Sequence, residues 1–211
     1  MATAVSNIST GSGGSSPAAE FALAVLTNSN DLRNYTSLPS GIFNGDIPQF
    51  SFYKKTNLSL TSLPSTAGVI NPNAFGGCTN LALSSLPPMR TIGEAAFTNC
   101  TNLTISSITP MYTSFYIYSS AFHGCTGITD LYLQGATSNG SYIFSGCTGL
   151  QTLTLEDCTL THSYLFDGCS SLTTVNLKGT NTLGSYTFTR NCSNLTTVYI
   201  QGTVSMTINT F

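Results

Sequence analysis

The chain has few charged residues and no tryptophan. Of its 211 residues, six are Lys or Arg and eight are Asp or Glu, which gives a net charge of -2. Neither a basic patch nor a run of positive residues is present, so the composition argues against nucleic-acid binding. The surface must be supplied mostly by Ser, Thr, Asn, Gly and Tyr, which favours a stacked repeat protein over an enzyme.

Long hydrophobic runs are also missing near the start of the chain. The segment from Met1 to Ser6 has no basic residue, and the early apolar run from Phe21 to Leu26 has six residues. Six residues are too few for the core of a signal peptide or for a membrane span. We therefore expect neither an export signal nor membrane insertion. A bacterial adhesin normally needs export and a wall anchor, whereas a virion protein needs neither.

Motifs for catalysis and metal binding are absent as well. No Gly-x-Ser-x-Gly, no phosphate-binding glycine loop and no Cys-x-x-Cys pair occurs, and His123 and His162 lie far from any such pattern. Glu156 and Asp157 are neighbours, so on a strand they point to opposite faces and cannot act as a pair. The sequence predicts no catalytic residue, no metal site and no cofactor.

What the chain does contain is a repeat. Six times a phenylalanine is followed by a cysteine three or four residues later, and then by Leu or Ile after three more. Successive phenylalanines are 22, 25, 22, 22 and 22 residues apart, and a further 23 residues lead to Phe211. This period predicts a solenoid, because each unit can bury its apolar face only against its neighbours. The phenylalanines are Phe75, Phe97, Phe122, Phe144, Phe166 and Phe188, and the cysteines are Cys78, Cys100, Cys125, Cys147, Cys169 and Cys192.

Each unit continues as an alternation of apolar and polar residues, which is typical of a short half-buried strand. The predicted fold class is therefore a repeat solenoid of short parallel β-strands in coils of about 22 residues, mostly β and irregular. The units at 58–63 and 81–86 depart from the pattern, and Pro64 and Pro87 should end any strand there. The predicted inward pairs are Leu131 and Leu133, Leu153 and Leu155, Val175 and Leu177, and Val198 and Ile200.

The motif Ala-Phe-x-x-Cys-x-x-Leu resembles the BspA-type leucine-rich repeat over roughly residues 58 to 211. In two units it follows Ile92-Gly93 and Ile117 at matching distances. The resemblance implies a parallel, curved leucine-rich repeat solenoid with no shared catalytic site. It also implies the roles of that family, whose members serve as surface adhesins of bacteria and parasitic protists or as virion-associated proteins.

The six repeated cysteines occupy one position in successive coils, where a small buried hydrophobe suffices, so we predict free structural thiols. Cys158 lies outside this series and is predicted to be exposed.

Three segments follow from these patterns. Residues 1–16 are predicted to form a flexible N-terminal arm that docks on a virion partner. Residues 17–50 are predicted to be an N-terminal cap, which begins with a short helix from Ser16 and Pro17 to about Thr27. Its inward residues should be Phe21, Val25 and Leu26, and a degenerate repeat should follow with Asp46 at the cysteine position. Residues 51–211 form the predicted solenoid.

The C-terminal coil has no polar segment after it. Its apolar side chains and strand edge should either contact another chain, as in a homo-oligomer or larger assembly, or be covered by residues 204–210.

Two surfaces are candidate binding sites. The first is the outward, concave face of the strands, whose neutral polar side chains suit a protein or glycan receptor. The second is a column of tyrosines, each two residues before a repeat phenylalanine. An ordinary solvated strand face and a purely structural tyrosine ladder remain open alternatives. The strand-face residues are Asp130, Tyr132, Gln134, Thr152, Thr154, Glu156, Thr174, Asn176, Lys178, Thr197, Tyr199 and Gln201, and the column is Tyr142, Tyr164 and Tyr186.

A third candidate is the long unit from Met111 to Tyr118, where Phe115 and Ile117 should be core and the other aromatics could form a protruding patch.

The interpretation that joins these features is a non-enzymatic attachment protein. In one version it is a phage structural protein, a tail or capsid component at the virion surface that serves in host attachment. In the other version it is a cell-surface or secreted adhesin that binds a host protein or glycan.

Overall fold

A computed structural model describes residues 16–27, 29, 33–39, 42–43, 45–188 and 191–211. They form one helix and ten strands, and every strand pair is parallel. This confirms the predicted parallel solenoid. The elements are α1 (Pro17–Thr27), β1 (Val69–Ile70), β2 (Thr91–Ile92), β3 (Ser107–Ile108), β4 (Phe115–Tyr118), β5 (Asp130–Gln134), β6 (Ala136–Asn139), β7 (Thr152–Glu156), β8 (Thr159–Leu160), β9 (Thr174–Leu183) and β10 (Thr197–Met206).

The strands form two ladders that run side by side along the stack. The front ladder contains β3, β5, β7 and the first halves of β9 and β10, and the side ladder contains β1, β2, β4, β6, β8 and the second halves. The chain turns from one ladder to the other through a corner where Gly135 and Gly179 have φ of 62° and 63°. A left-handed backbone is least strained in glycine. This explains why glycine occupies the corner at these two positions.

A column of stacked phenylalanines fills the interior. Eight rings, from Phe52 to Phe211, lie 5.0 to 5.3 Å apart between centroids and within 18° of parallel. Each ring from Phe52 to Phe188 is carried by a turn that bonds to the next coil, as Phe97 N–H does to the Ala121 carbonyl at 2.7 Å. The aromatic column is therefore continuous over all the coils, and it begins one coil earlier than the six repeats read from the sequence.

The repeated cysteines are buried and free, but they are more than small hydrophobes. Each Sγ donates a hydrogen bond to a phenylalanine carbonyl of the preceding coil, at 2.9 to 3.3 Å. Cys125, for example, reaches the carbonyl of Phe97. The thiol therefore links successive coils through a polar contact that alanine or valine could not make.

The N-terminal helix begins and ends where the sequence places it. Ala19 N–H donates to Ser16 Oγ at 3.2 Å, which is the expected N-cap contact. Phe21 and Val25 are buried as predicted, but Leu26 is 60% exposed. The prediction for Leu26 was wrong because Ala22 and Ala24 complete the buried face of this helix instead.

The first coil also differs from the prediction. Asp46 does not occupy the cysteine position. Its carboxylate accepts the Val69 N–H and pairs with Arg90, while the next residue, Ile47, bridges to Ile70 of the side ladder. Phe52 stacks on the aromatic column, so it is the repeat phenylalanine of this coil. The residue three positions later, where the later coils have cysteine, is Lys55.

The structure also tests the predictions for Cys158, for the two irregular units and for the C-terminal residues. Cys158 is fully buried, and its thiol donates to the Leu133 carbonyl, so the prediction that it is exposed was wrong. Residues 58–63 and 81–86 form no strand, although the first two leucines of each segment are buried. Residues 204–206 belong to β10 and pair with β9, so this part of the chain does not fold over the end of the stack.

The division into arm, cap and solenoid stays a prediction, and residues 1–15 lie outside the described residues. No helix in the described part of the chain is long and apolar enough to cross a membrane.

Candidate functional site

The outward side chains of the front ladder form a regular array, which we call the strand grid. Strands β5, β7, β9 and β10 each contribute three of them, and parallel register places equivalent residues side by side. Strand alternation buries the intervening apolar residues of β5, β7 and β9, so this array is the polar surface of the ladder. The three rows are Asp130, Thr152, Thr174 and Thr197; Tyr132, Thr154, Asn176 and Tyr199; and Gln134, Glu156, Lys178 and Gln201.

All twelve strand-face residues that the sequence offers as a candidate binding surface lie in the strand grid. The middle row has a tyrosine at each end, with a hydroxyl and an amide between them. Tyr132 and Tyr199 are three strand spacings apart, or about 14 Å. Tyr199 is 57% exposed and Tyr132 is half-buried. The row therefore offers two separate aromatic surfaces with polar groups between them.

Side-chain contacts hold part of the strand grid in place. The Tyr132 hydroxyl donates to Glu156 Oε2 at 3.1 Å, and the Asn176 amide donates to Thr154 Oγ1 at 3.3 Å. Burial raises the pKa of Tyr132, and the hydrogen bond to Glu156 and the negative charge of Glu156 raise it further. The phenol therefore stays protonated at neutral pH and remains a hydrogen-bond donor.

The charges of the strand grid are not paired with one another. Glu156 and Lys178 are direct register partners on β7 and β9, yet the one ion pair in the described part of the chain is Arg90 with Asp46. Glu156 binds the Tyr132 hydroxyl instead, and the exposed Lys178 ammonium remains available to an incoming acceptor. The sequence could not show this choice, because Lys178 is the register partner of Glu156 whereas Tyr132 lies diagonally across from it.

The tyrosine column exists, and its geometry favours a structural role. Tyr142, Tyr164 and Tyr186 stack at 5.3 Å between centroids, within 9° of parallel. All three have a left-handed backbone, with φ of 60°, 59° and 57°. Both faces of the Tyr164 ring are covered by neighbouring rings, so a sugar cannot stack on them. Tyr142 and Tyr186, at the ends of the column, each stack on one tyrosine ring only. A binding role for this column stays a prediction.

The long unit places its aromatics as predicted. Phe115 and Ile117 are buried, whereas Tyr112, Tyr116 and Tyr118 are 73%, 50% and 37% exposed. These tyrosines belong to β4 and the loop before it, so they lie on the side ladder and away from the strand grid. They form a second aromatic surface rather than an extension of the first.

The described residues show no constellation suited to catalysis or metal binding. No group of three or more His, Cys, Asp or Glu side chains in this part of the chain could hold a metal ion. Asp157 accepts the Thr180 N–H at the corner between the ladders and does not join Glu156. A surface depression near the N-terminal end contains no ionisable side chain; it is lined by Ser37, Leu38, Pro39, Phe43, Ser62, Leu63 and Pro64.

The cysteine thiols are unsuited to act as nucleophiles. Burial raises the pKa of Cys147 and Cys158 to about 12, so both are neutral thiols at physiological pH.

Comparison with known proteins agrees with this architecture. The model of the BspA type leucine rich repeat region matches residues 45–136 and 91–211, in six copies. Among solved structures, the chain is similar to a T. pallidum leucine-rich repeat protein, with 24% identity and a TM-score of 0.51 over 71% of this chain and 72% of that one. No curated protein gives a significant match.

Two further solved structures are similar at 17% identity. A leucine-rich repeat protein from Bacteroides ovatus has a TM-score of 0.33, covering 81% of this chain and 66% of that one. One from Eubacterium ventriosum has a TM-score of 0.37, covering 80% and 73%. The family model, which spans most of the sequence and agrees with the observed coils, is the decisive match. The chain belongs to the BspA-type leucine-rich repeat family.

Proposed function

We propose that this protein is a non-enzymatic attachment protein that binds a protein or glycan receptor through the strand grid. The observation that carries the proposal is the middle row of the grid, where Tyr132 and Tyr199 flank the hydroxyl of Thr154 and the amide of Asn176. Tyrosine gives a large contact area at low entropic cost, and it is enriched at binding hot spots. Hydroxyl and amide groups between the rings suit an uncharged polar ligand.

The charge distribution supports the same ligand class. The strand grid has two carboxylates and one ammonium group among twelve side chains, so it has no strong field of either sign. Recognition would depend on hydrogen bonds and aromatic contact, and only weakly on salt. Repeat families of this kind use the exposed face of their ladder as an extended binding surface. The family itself consists of non-catalytic repeat proteins.

Binding to a glycan array and a protein array tests the proposal. We expect Tyr132→Ala and Tyr199→Ala each to weaken the strongest hit by about tenfold or more, since a hot-spot truncation costs about 2 kcal/mol. Tyr112→Ala is the matched control, because it removes a 73% exposed tyrosine outside the strand grid. Unchanged binding by both grid variants, or equal loss in the control, would contradict the proposal.

The biological setting is a further part of the proposal. We propose that the protein is a virion component, with cell-surface or secreted adhesion as the alternative. Anchoring through the arm of residues 1–16 stays a prediction, since residues 1–15 lie outside the described residues. Deletion of residues 1–15 should release the protein from a virion preparation but leave receptor binding by the strand grid intact.

A further inference from the structure

The last coil presents an apolar strand edge. Strand β10 pairs with β9 over ten residues, and its outer edge has no partner among the described residues. Val198 and Ile200 are 37% and 54% exposed, although the equivalent Val175 and Leu177 of the preceding coil are fully buried. The outer face of the Phe211 ring is open in the same way, since the ring is 48% exposed and stacks only on the preceding coil.

The opposite end of the stack is closed. Helix α1 buries Phe21 and Val25 there, and the Phe21 ring meets Phe52, the first ring of the aromatic column, edge-on at 5.9 Å. A second copy therefore cannot continue the stack head to tail, because its first coil is already covered by its own helix. The open end of one copy can instead pair with the open end of a second copy.

The outer edge of β10 lacks the features that usually prevent edge-to-edge pairing. The strand from Thr197 to Met206 contains no proline, no lysine and no other charged residue. Its first five residues also have no positive φ, and the first such value comes at Gly202. The first half of the strand is therefore a regular extended edge.

The backbone groups that face this edge belong to the exposed apolar residues. Thr197 N–H donates to the Thr173 carbonyl, which precedes β9, at 3.1 Å. Backbone N–H and C=O groups alternate in direction along a strand, so those of Val198 and Ile200 point away from β9. Each of the two residues thus has an unpaired donor and acceptor in line with the open edge.

We propose that two copies of this chain associate through antiparallel pairing of β10 about a two-fold axis at Tyr199. Val198 of one copy then lies opposite Ile200 of the second copy, and the two residues exchange backbone hydrogen bonds. Their side chains meet on the inner side and join the two cores, while Thr197 lies opposite Gln201 on the outer side. No like charges come together, and such an isologous contact closes at two copies.

Pairing in this way also joins the two binding surfaces. A two-fold axis perpendicular to the sheet keeps both strand grids on the same face, with the two Tyr199 rings side by side at the centre. The dimer would then be bivalent toward a repetitive receptor, so avidity could exceed single-site affinity.

Sedimentation equilibrium of the 211-residue chain without any ligand tests the proposal. We expect a mass that rises with concentration to twice the 22.2 kDa of one chain and no further. Ile200→Lys should lower the association constant by a hundredfold or more, since it places a charge on each side of the axis. Leu23→Lys is the matched control, because Leu23 is 62% exposed on α1 at the closed end.

Hydrogen exchange provides a second readout, since the amides of Val198 and Ile200 should become protected as the dimer forms. A monomer at every concentration up to the millimolar range, growth beyond two copies, or equal effects of the two lysine variants would overturn the proposal. No receptor is used, so a negative result leaves the function proposed for the strand grid untouched.

Discussion

At the residue scale, the cysteines show how one side chain can meet two requirements. The position is fully enclosed, which favours a small apolar group, and it faces a carbonyl of the coil before, which favours a donor. A thiol is small, apolar and a weak donor. Serine would donate better but costs more to bury, and alanine would leave the contact unmade.

These thiols also predict an alkaline limit to stability. Burial raises the pKa of Cys147 and Cys158 from 9.0 to about 12. Between pH 9 and 12 the unfolded chain releases protons that the native state retains, so the free energy of unfolding falls as pH rises. The loss per thiol is at most about 1.4 kcal/mol per pH unit. The stability they contribute is complete below pH 9, and thermal melts should show a falling Tm above it.

Thiol labelling checks the same point directly. At pH 8 the native protein should react slowly with Ellman's reagent, and all seven cysteines should react at once in denaturant. The Cys147→Ala/Cys158→Ala double variant should show a shallower fall of Tm above pH 9. Rapid labelling of native Cys147, or a slope that this variant leaves unchanged, would contradict the assignment.

At the element scale, the tyrosine column raises the question of why bulky residues occupy left-handed positions. Such a backbone costs on the order of 1 kcal/mol for a residue other than glycine. The same position has positive φ in the neighbouring coils, where it is held by Ala95, Ser120 and Asn209. The turn therefore requires this conformation in every such coil, and stacking offsets its cost where three tyrosines are adjacent.

Alanine substitution along this column separates stacking from backbone strain. Tyr164 stacks on two rings and Tyr142 on one, while their φ values differ by only 1°. Tyr164→Ala should therefore destabilise the protein more than Tyr142→Ala, by about 0.5 to 1.5 kcal/mol, the contribution of one aromatic pair. Urea unfolding measures the difference, and equal losses would argue that the rings do not stabilise each other.

At the scale of the whole molecule, stability should depend on the position of a coil in the stack. Each coil contacts only its neighbours. The free energy of unfolding is therefore approximately the sum of the stabilities of the coils and of the interfaces between them. Phe122 stacks on Phe97 at 5.2 Å and on Phe144 at 5.0 Å, whereas Phe211 contacts a single ring and is 48% exposed. A central ring thus couples two halves of the column.

Phe122→Ala should lower the free energy of unfolding by about 3 to 5 kcal/mol, because it opens a cavity and removes two stacking contacts. It should also broaden the urea transition, because the halves on either side become less coupled. Phe211→Ala is the control and should cost less than about 1.5 kcal/mol. If the urea transition stays sharp and both variants lose a similar free energy of unfolding, the stability of the stack does not depend on contacts between neighbouring coils.

The sequence alone determined the architecture of this protein. A ring, a thiol and an aliphatic side chain that recur at nearly constant spacing can all be buried only if coils stack in register, so the solenoid follows from periodicity. The outward residues of its strands follow from alternation, which is why every predicted member of the strand grid lies on one face. The helix from Pro17 to Thr27 followed from local capping, which needs no distant partner.

Only the tertiary structure decided which side chains meet across coils and what covers each end. Cys158 is buried because the corner between the two ladders encloses it, and the binary pattern contains no sign of that corner. Asp46 pairs with Arg90, 44 residues away, and Glu156 binds Tyr132 rather than Lys178. Val198 and Ile200 match the inward pattern but are exposed, because burial depends on a neighbouring coil and not on the residue itself.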